Sequence, residues 1–269
     1  MAALEGLISA PSDRALPLLD RVLNGNHSER VKARALFVLS QIDHPEAQNT
    51  ILNLAKNNQS PLQHEAIRVI GIAGHRASLD ELKNIYSSGD RKVKEQVMQA
   101  YLIAGDEQKL FELAENAKTD DEFDAAVQKL GAMGETELLQ KLAGRAGQSD
   151  SLLQAYAVSG DLDSLLALAH GEVPDTHDDI RLKAISNIGI VGGLKGKRAL
   201  MDIYQGATES SVKHAALQGL LIAGHDRGVL QLYKQSDNLE DKRKLLQTLS
   251  IMNSDVALDA IDAALDGGQ

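Results

Sequence analysis

Eight histidines are the side chains of this 269-residue sequence best suited to ligate a metal or move a proton, because the chain holds no cysteine. Five of them occupy only two kinds of place. His44, His75 and His225 each follow a turn, the last two inside a tetrapeptide, "IAGH", that stands at Ile72–His75 and returns at Ile222–His225. His64 and His214 begin similar apolar runs, and "HEA" at His64 sets an imidazole beside a carboxylate, the pairing a di-metal site would use. A third cluster, Asp175, His177, Asp178 and Asp179 in "PDTHDD", crowds oxygen and nitrogen ligands together without EF-hand spacing and reads as an acidic loop. "GGLKGK" at Gly192–Lys197 lacks the residue order of a phosphate-binding loop. No zinc-protease helix, nucleophile elbow or dinucleotide fingerprint is present. The sequence thus points to no catalytic residue, no metal and no cofactor.

The elements that would position these side chains repeat. Aligned on the glycine of "IAGH", a column runs Asp43, Gly74, Gly105, Gly134, Gly160, Gly192, Gly224 and Asn253, with spacings of 31, 31, 29, 26, 32, 32 and 29. Four residues earlier stands Leu39, Ile70, Tyr101, Leu130, Tyr156, Ile188, Leu220 or Leu249; eight earlier, an aliphatic residue or alanine. Spacing by four marks one helix face, and a second apolar run follows each column residue. Each unit is therefore a helical hairpin, with glycine supplying the left-handed backbone that reverses the chain. Stacking such units buries a core that none could bury alone. His64 and His214 then lie several units apart and cannot share a metal.

Composition agrees with an all-helical reading. Aromatic residues make up 3% and Trp is absent, so the core is aliphatic. With 28 basic and 38 acidic residues the net charge is −10, which disfavours nucleic acid as a partner. No apolar run approaches the ~18 residues of a membrane span, so no membrane insertion is expected. "MAALEGLISA" opens inside an apolar helical pattern without a basic leader, which predicts a fragment of a longer protein.

"VKARALFVLSQID" followed by "PEAQNTILNLA", and "VKHAALQGLLIAG" followed by "VLQLY", resemble the short HEAT-like repeats of bacterial proteins of the phycobilisome-lyase type, and the likeness spans the chain. It implies an all-α, right-handed α-solenoid of about eight HEAT-like hairpins forming a single domain over 1–269. The repeat units fall near 13–43, 44–74, 75–105, 106–134, 135–160, 161–192, 193–224 and 225–253, with half-repeats at 1–12 and 254–269. One HEAT-like enzyme family, the deoxyhypusine hydroxylases, holds di-iron with His-Glu pairs on successive helices; here only His64-Glu65 survives at the equivalent positions.

The resemblance also implies that the second helix of each hairpin lines a concave side. On that helix one register is always apolar: Leu36, Ile67, Met98, Val127, Leu153, Ile185, Leu217 and Leu246. The next register reads Phe37, Arg68, Gln99, Gln128, Gln154, Ser186, Gln218 and Gln247, and should face outwards. A ladder of amides suits an extended peptide. His64, Lys94, Lys213 and His214 lie beside it, and with Lys32, Arg181 and Lys242 they predict a locally basic groove for an acidic peptide. The expected function is a non-catalytic scaffold binding a protein or peptide there. The alternative is an enzyme-like or lyase-associated module, of hydroxylase or chromophore-lyase type, acting within a larger protein.

Overall fold

A computed structural model describes residues 2–146, 149–174 and 176–266. The described residues form helices and no strand. Helix α1 (Ala2–Glu5) runs into a 3-10 turn (Gly6–Ser9). Hairpins follow: α2 (Ser12–Asn24) with α3 (Glu29–Ser40), α4 (Pro45–Lys56) with α5 (Gln63–Ala73), and α6 (Arg76–Ser88) with α7 (Arg91–Ala104). Next come α8 (Glu107–Glu115) with α9 (Asp120–Met133), and α10 (Thr136–Ala146) with α11 (Asp150–Ser159). Then α12 (Leu162–Ala169) pairs with α13 (Asp178–Val191), α14 (Gly193–Gly206) with α15 (Ser210–Ile222), and α16 (Asp226–Gln235) with α17 (Leu239–Met252); α18 (Asp255–Asp266) follows alone. The fold is all-α, built as an α-solenoid builds, from helical hairpins.

The hairpin corners explain the repeated tetrapeptide. Gly74 takes φ +68° and Gly105 φ +69°, and the glycines of the later corners also have positive φ. Asn253, at φ 47°, is the non-glycine residue found in this region among those described. At such a corner the next residue donates its N–H back across the helix end: Asp106 to the Tyr101 carbonyl at 3.0 Å, and His225 to that of Leu220 at 3.0 Å. At His44, His75, Asp106 and His225 that same residue takes the N-cap position of the following helix, and the side chain closes the cap at His44 and Asp106. The Asp106 carboxylate accepts from the Lys109 N–H, and His44 Nδ1 accepts from the Glu46 N–H. Asp43 stays outside the left-handed region, and the first corner instead closes through short Ile42-to-Leu39 and His44-to-Ile42 backbone bonds.

The chain divides into two compact units, Met1–Lys129 and Leu130–Gln269. In the first, α3, α5 and α7 lie side by side; in the second, α11, α13, α15 and α17 do the same. Strongly packed helices are neighbours or next neighbours in chain order. The invariant apolar register supplies the packing: Leu36, Ile67, Met98, Val127, Leu153, Ile185 and Leu217 are buried, and only Leu246 is half-exposed. Small residues set how closely these helices approach. A Cβ on Gly71 would fall 2.6 Å from the Ala100 carbonyl oxygen, and one on Gly189 would fall 2.2 Å from that of Gly219.

Candidate interaction face

One face of each second helix is left to solvent, and the residues expected to bind a partner lie on it. Gln128, Gln154, Gln218 and Gln247 are exposed, while Phe37, Arg68, Gln99 and Ser186 are half-buried. In the second unit three of these helices frame a groove of about 460 Å³. Its walls are Gln154 on α11, Ser186 and Asn187 on α13, and Ser211, His214 and Gln218 on α15; Leu153, Leu182 and Ala215 add apolar surface. The Ser186 hydroxyl lies 3.4 Å from Gln218 Oε1, so amide-register residues of adjacent hairpins touch. Gln154, His214 and Gln218 thus line one groove, joined by Asn187 and Ser211 from neighbouring registers of the same helices.

Lys183 and Asp150 also line the groove. The ammonium donates to both Asp150 oxygens at 2.8 and 3.0 Å, with Asp179 at 3.6 Å. The Asp150 hydrogen bond, reinforced by both carboxylate charges, raises the Lys183 pKa above the ordinary lysine value.

Two of the lysines expected to make the groove basic are paired with acids of the protein. Lys94 donates to Glu122 at 2.6 Å and lies 5.3 Å from the centroid of the Tyr86 ring. Lys213 repeats the arrangement, donating to Asp241 at 2.5 Å and sitting 5.6 Å from the Tyr204 ring. Each lysine on one second helix meets an acid at the start of the next, so both charges are offset within the protein. The phenol hydroxyls of Tyr86 and Tyr204 are buried without a hydrogen-bond partner, and burial, then the nearby carboxylate, pushes both up to about 12. Arg68 forks onto Glu65 of its own helix at 2.8 and 2.6 Å. Arg181 donates to the Ala169 carbonyl and lies 3.8 Å from Glu209. Lys242 lies 5.9 Å from the Tyr233 ring centroid, and the Arg34 guanidinium sits 4.8 Å from that of Phe37. The exposed imidazole of His64 belongs to the first unit, that of His214 to the second.

The Lys94–Glu122 pair has a measurable pH signature. The Lys94 hydrogen bond, followed by the Lys118 backbone N–H, holds the Glu122 carboxyl below its ordinary value. A depressed folded-state pKa contributes stability above the unfolded-state value, and that contribution is lost as pH falls through the folded-state value. Glu122→Gln is expected to cost about 1 kcal/mol at neutral pH, between the exposed and buried limits for ion pairs. The difference from wild type should shrink as pH is lowered from neutral to acid, below the ordinary carboxylate range. Urea unfolding at neutral and acid pH checks this; an equal deficit at both would show that the lost contribution is not ionic.

In the "PDTHDD" loop, Asp175 lies outside the described residues. His177 takes the N-cap position of α13, and Asp178 and Asp179 sit in its first turn, where carboxylates favour the positive end of the helix dipole. Among the described residues no group of three or more His, Asp or Glu side chains is placed to hold a metal ion. No described helix is long and apolar enough to cross a membrane.

Helical hairpins with glycine corners and a polar outer register on the second helix define a helical-repeat protein. Residues 15–102 match the family described as HEAT repeats. No curated protein matches the chain. A solved structure described as "Computational Design of Self-Assembling Cyclic Protein Homooligomers" is 18% identical, covering 100% of this chain and 98% of that one at a TM-score of 0.16.

Proposed function

We infer that the protein is a non-catalytic interaction scaffold that binds a segment of a partner protein on the exposed face of its second helices. The groove across α11, α13 and α15 carries this reading. Its amide and hydroxyl side chains offer donors and acceptors in a row, over apolar surface from Leu153, Leu182 and Ala215. That combination suits a chain whose own backbone groups are unpaired, the extended mode of peptide recognition. The match of residues 15–102 to HEAT repeats supports a scaffold role. The charge pairs at Lys94, Lys183 and Lys213 favour a neutral segment over the acidic one suggested by the lysines alone.

The test is selection of a random peptide library on the immobilised protein, followed by hydrogen-exchange mapping of the bound state. Recovered peptides should slow exchange in α11, α13 and α15, and Gln154→Glu with Gln218→Glu should weaken them about tenfold, roughly the loss of one or two hydrogen bonds. Peptides that protect only the first helices, or none of the helices, would remove the groove from consideration.

A further inference from the structure

Each second helix of the second unit ends on an exposed aliphatic side chain. Val158, Ile190, Ile222 and Ile251 are 65%, 49%, 54% and 63% exposed. Each follows by four residues its partner in the amide register, Gln154, Ser186, Gln218 or Gln247, so the two share a face one turn apart. Single exposed aliphatic residues are ordinary on protein surfaces. One at the same place on every second helix that the unit sets side by side is a ridge, flanked along its length by amides and a hydroxyl. The first unit shows the same relation at Gln99 and Ile103, the latter 43% exposed.

Charge and spacing identify what the strip receives. Neither register carries a charge in the second unit, on a chain of net charge −10. The register beyond the amides holds Asp150 and Arg243, and Asp150 is already paired with Lys183. Along α11, α13 and α15 an ionised side chain laid on the strip would lose hydration with no counter-ion in either register, whereas an uncharged one matches it. A second copy of this chain would bring helices, whose backbone groups are already satisfied, together with a repelling net charge. An extended segment brings unpaired backbone groups for the amides. Packed helices stand about 8–10 Å apart, and a polyproline-type chain rises about 3.1 Å per residue with three residues per turn. It therefore advances about 9 Å per turn and returns to the same face at every third residue.

We propose that the aliphatic ridge and amide register of the second unit receive an extended, uncharged partner segment with an aliphatic side chain at every third residue. This rests on the scaffold reading above and gives its partner a sequence period. The probe is a capped, fluorescent peptide of Leu-Pro-Gln triplets, compared with the same residues rearranged so that leucine no longer recurs at every third position. Fluorescence anisotropy on the full chain should show the triplet peptide binding about tenfold more tightly or better. Ile190→Ser with Ile222→Ser should reduce that binding by about tenfold or more, as expected when two aliphatic contacts are removed. Val158→Ser with Ile251→Ser should do the same, with circular dichroism unchanged in both because the side chains are exposed. Equal binding of the two peptides, no binding of the triplet peptide, or ridge variants that bind like wild type would overturn the proposal. Library-selected peptides that protect α11, α13 and α15 but survive both ridge variants would leave the groove reading standing and sink this one. Peptides that protect none of the second helices would sink both.

Discussion

Gly189→Val should lower the stability of the second unit by about 3 kcal/mol or more, at or beyond the upper end for overpacked cores. A Cβ at residue 189 would stand 2.2 Å from the Gly219 carbonyl oxygen and 2.8 Å from its carbonyl carbon and Cα. These are backbone atoms, so no rotamer change relieves the overlap. Helices α13 and α15 would have to move apart, loosening Ile185 and Leu217, which are 0% and 4% exposed between them. The control is Gly206→Ala at the end of α14, where an added Cβ meets nothing within 4 Å. That change should be neutral or stabilise by up to about 1 kcal/mol through helix propensity. Urea and thermal unfolding of both variants check the pair. A Gly189→Val protein as stable as wild type would mean that the two helices do not approach as described.

Tyr101→Ala should cost about 3–5 kcal/mol, the range for truncating a large buried ring. Tyr101 is wholly buried on α7, and its hydroxyl donates to the Leu79 carbonyl on α6 at 3.2 Å. Burial drives its ionisation far upwards, so the phenol stays neutral and a donor throughout the working pH range. Tyr101→Phe keeps the ring and loses only the hydrogen bond, and should cost about 1 kcal/mol. Tyr156 is the counterpart in the second unit, with its hydroxyl 3.5 Å from the Leu139 carbonyl. Equal losses for the alanine and phenylalanine variants, measured by denaturant unfolding, would assign the effect to the hydrogen bond instead of packing.

The corners and the buried register were legible because each answers to one local constraint. Positive φ selects glycine or asparagine, as at Gly74 and Asn253, and a helix face against a neighbour selects an aliphatic residue at fixed spacing. The charges were harder to place. Lys94 and Lys213 read as a basic groove because their partners, Glu122 and Asp241, sit one repeat further on, at the starts of α9 and α17, and only the fold brings them together. The groove wall at Asn187 and Ser211 escaped a one-register reading because a groove between helices draws on several registers. The ridge was missed for another reason. The isoleucine of "IAGH" follows the helical apolar pattern, and periodicity alone does not distinguish Ile222, 54% exposed, from Leu220, which is fully buried two residues before it.

Packing restricted to neighbouring and next-neighbouring helices has a kinetic consequence. Native contacts in each unit join residues one repeat or so apart along the chain, which gives a low contact order. Forming such contacts closes only short loops, so little chain entropy is lost before each new hairpin gains its packing. Folding can begin at any well-packed pair and spread hairpin by hairpin, as in a one-dimensional lattice. The α13 and α15 pair, drawn together at Gly189 and Gly219 and hence rich in early contacts, is a natural seed. Loss of structure runs the other way, with amide exchange slowest in α13, where packing is closest, and faster in helices with fewer packed neighbours.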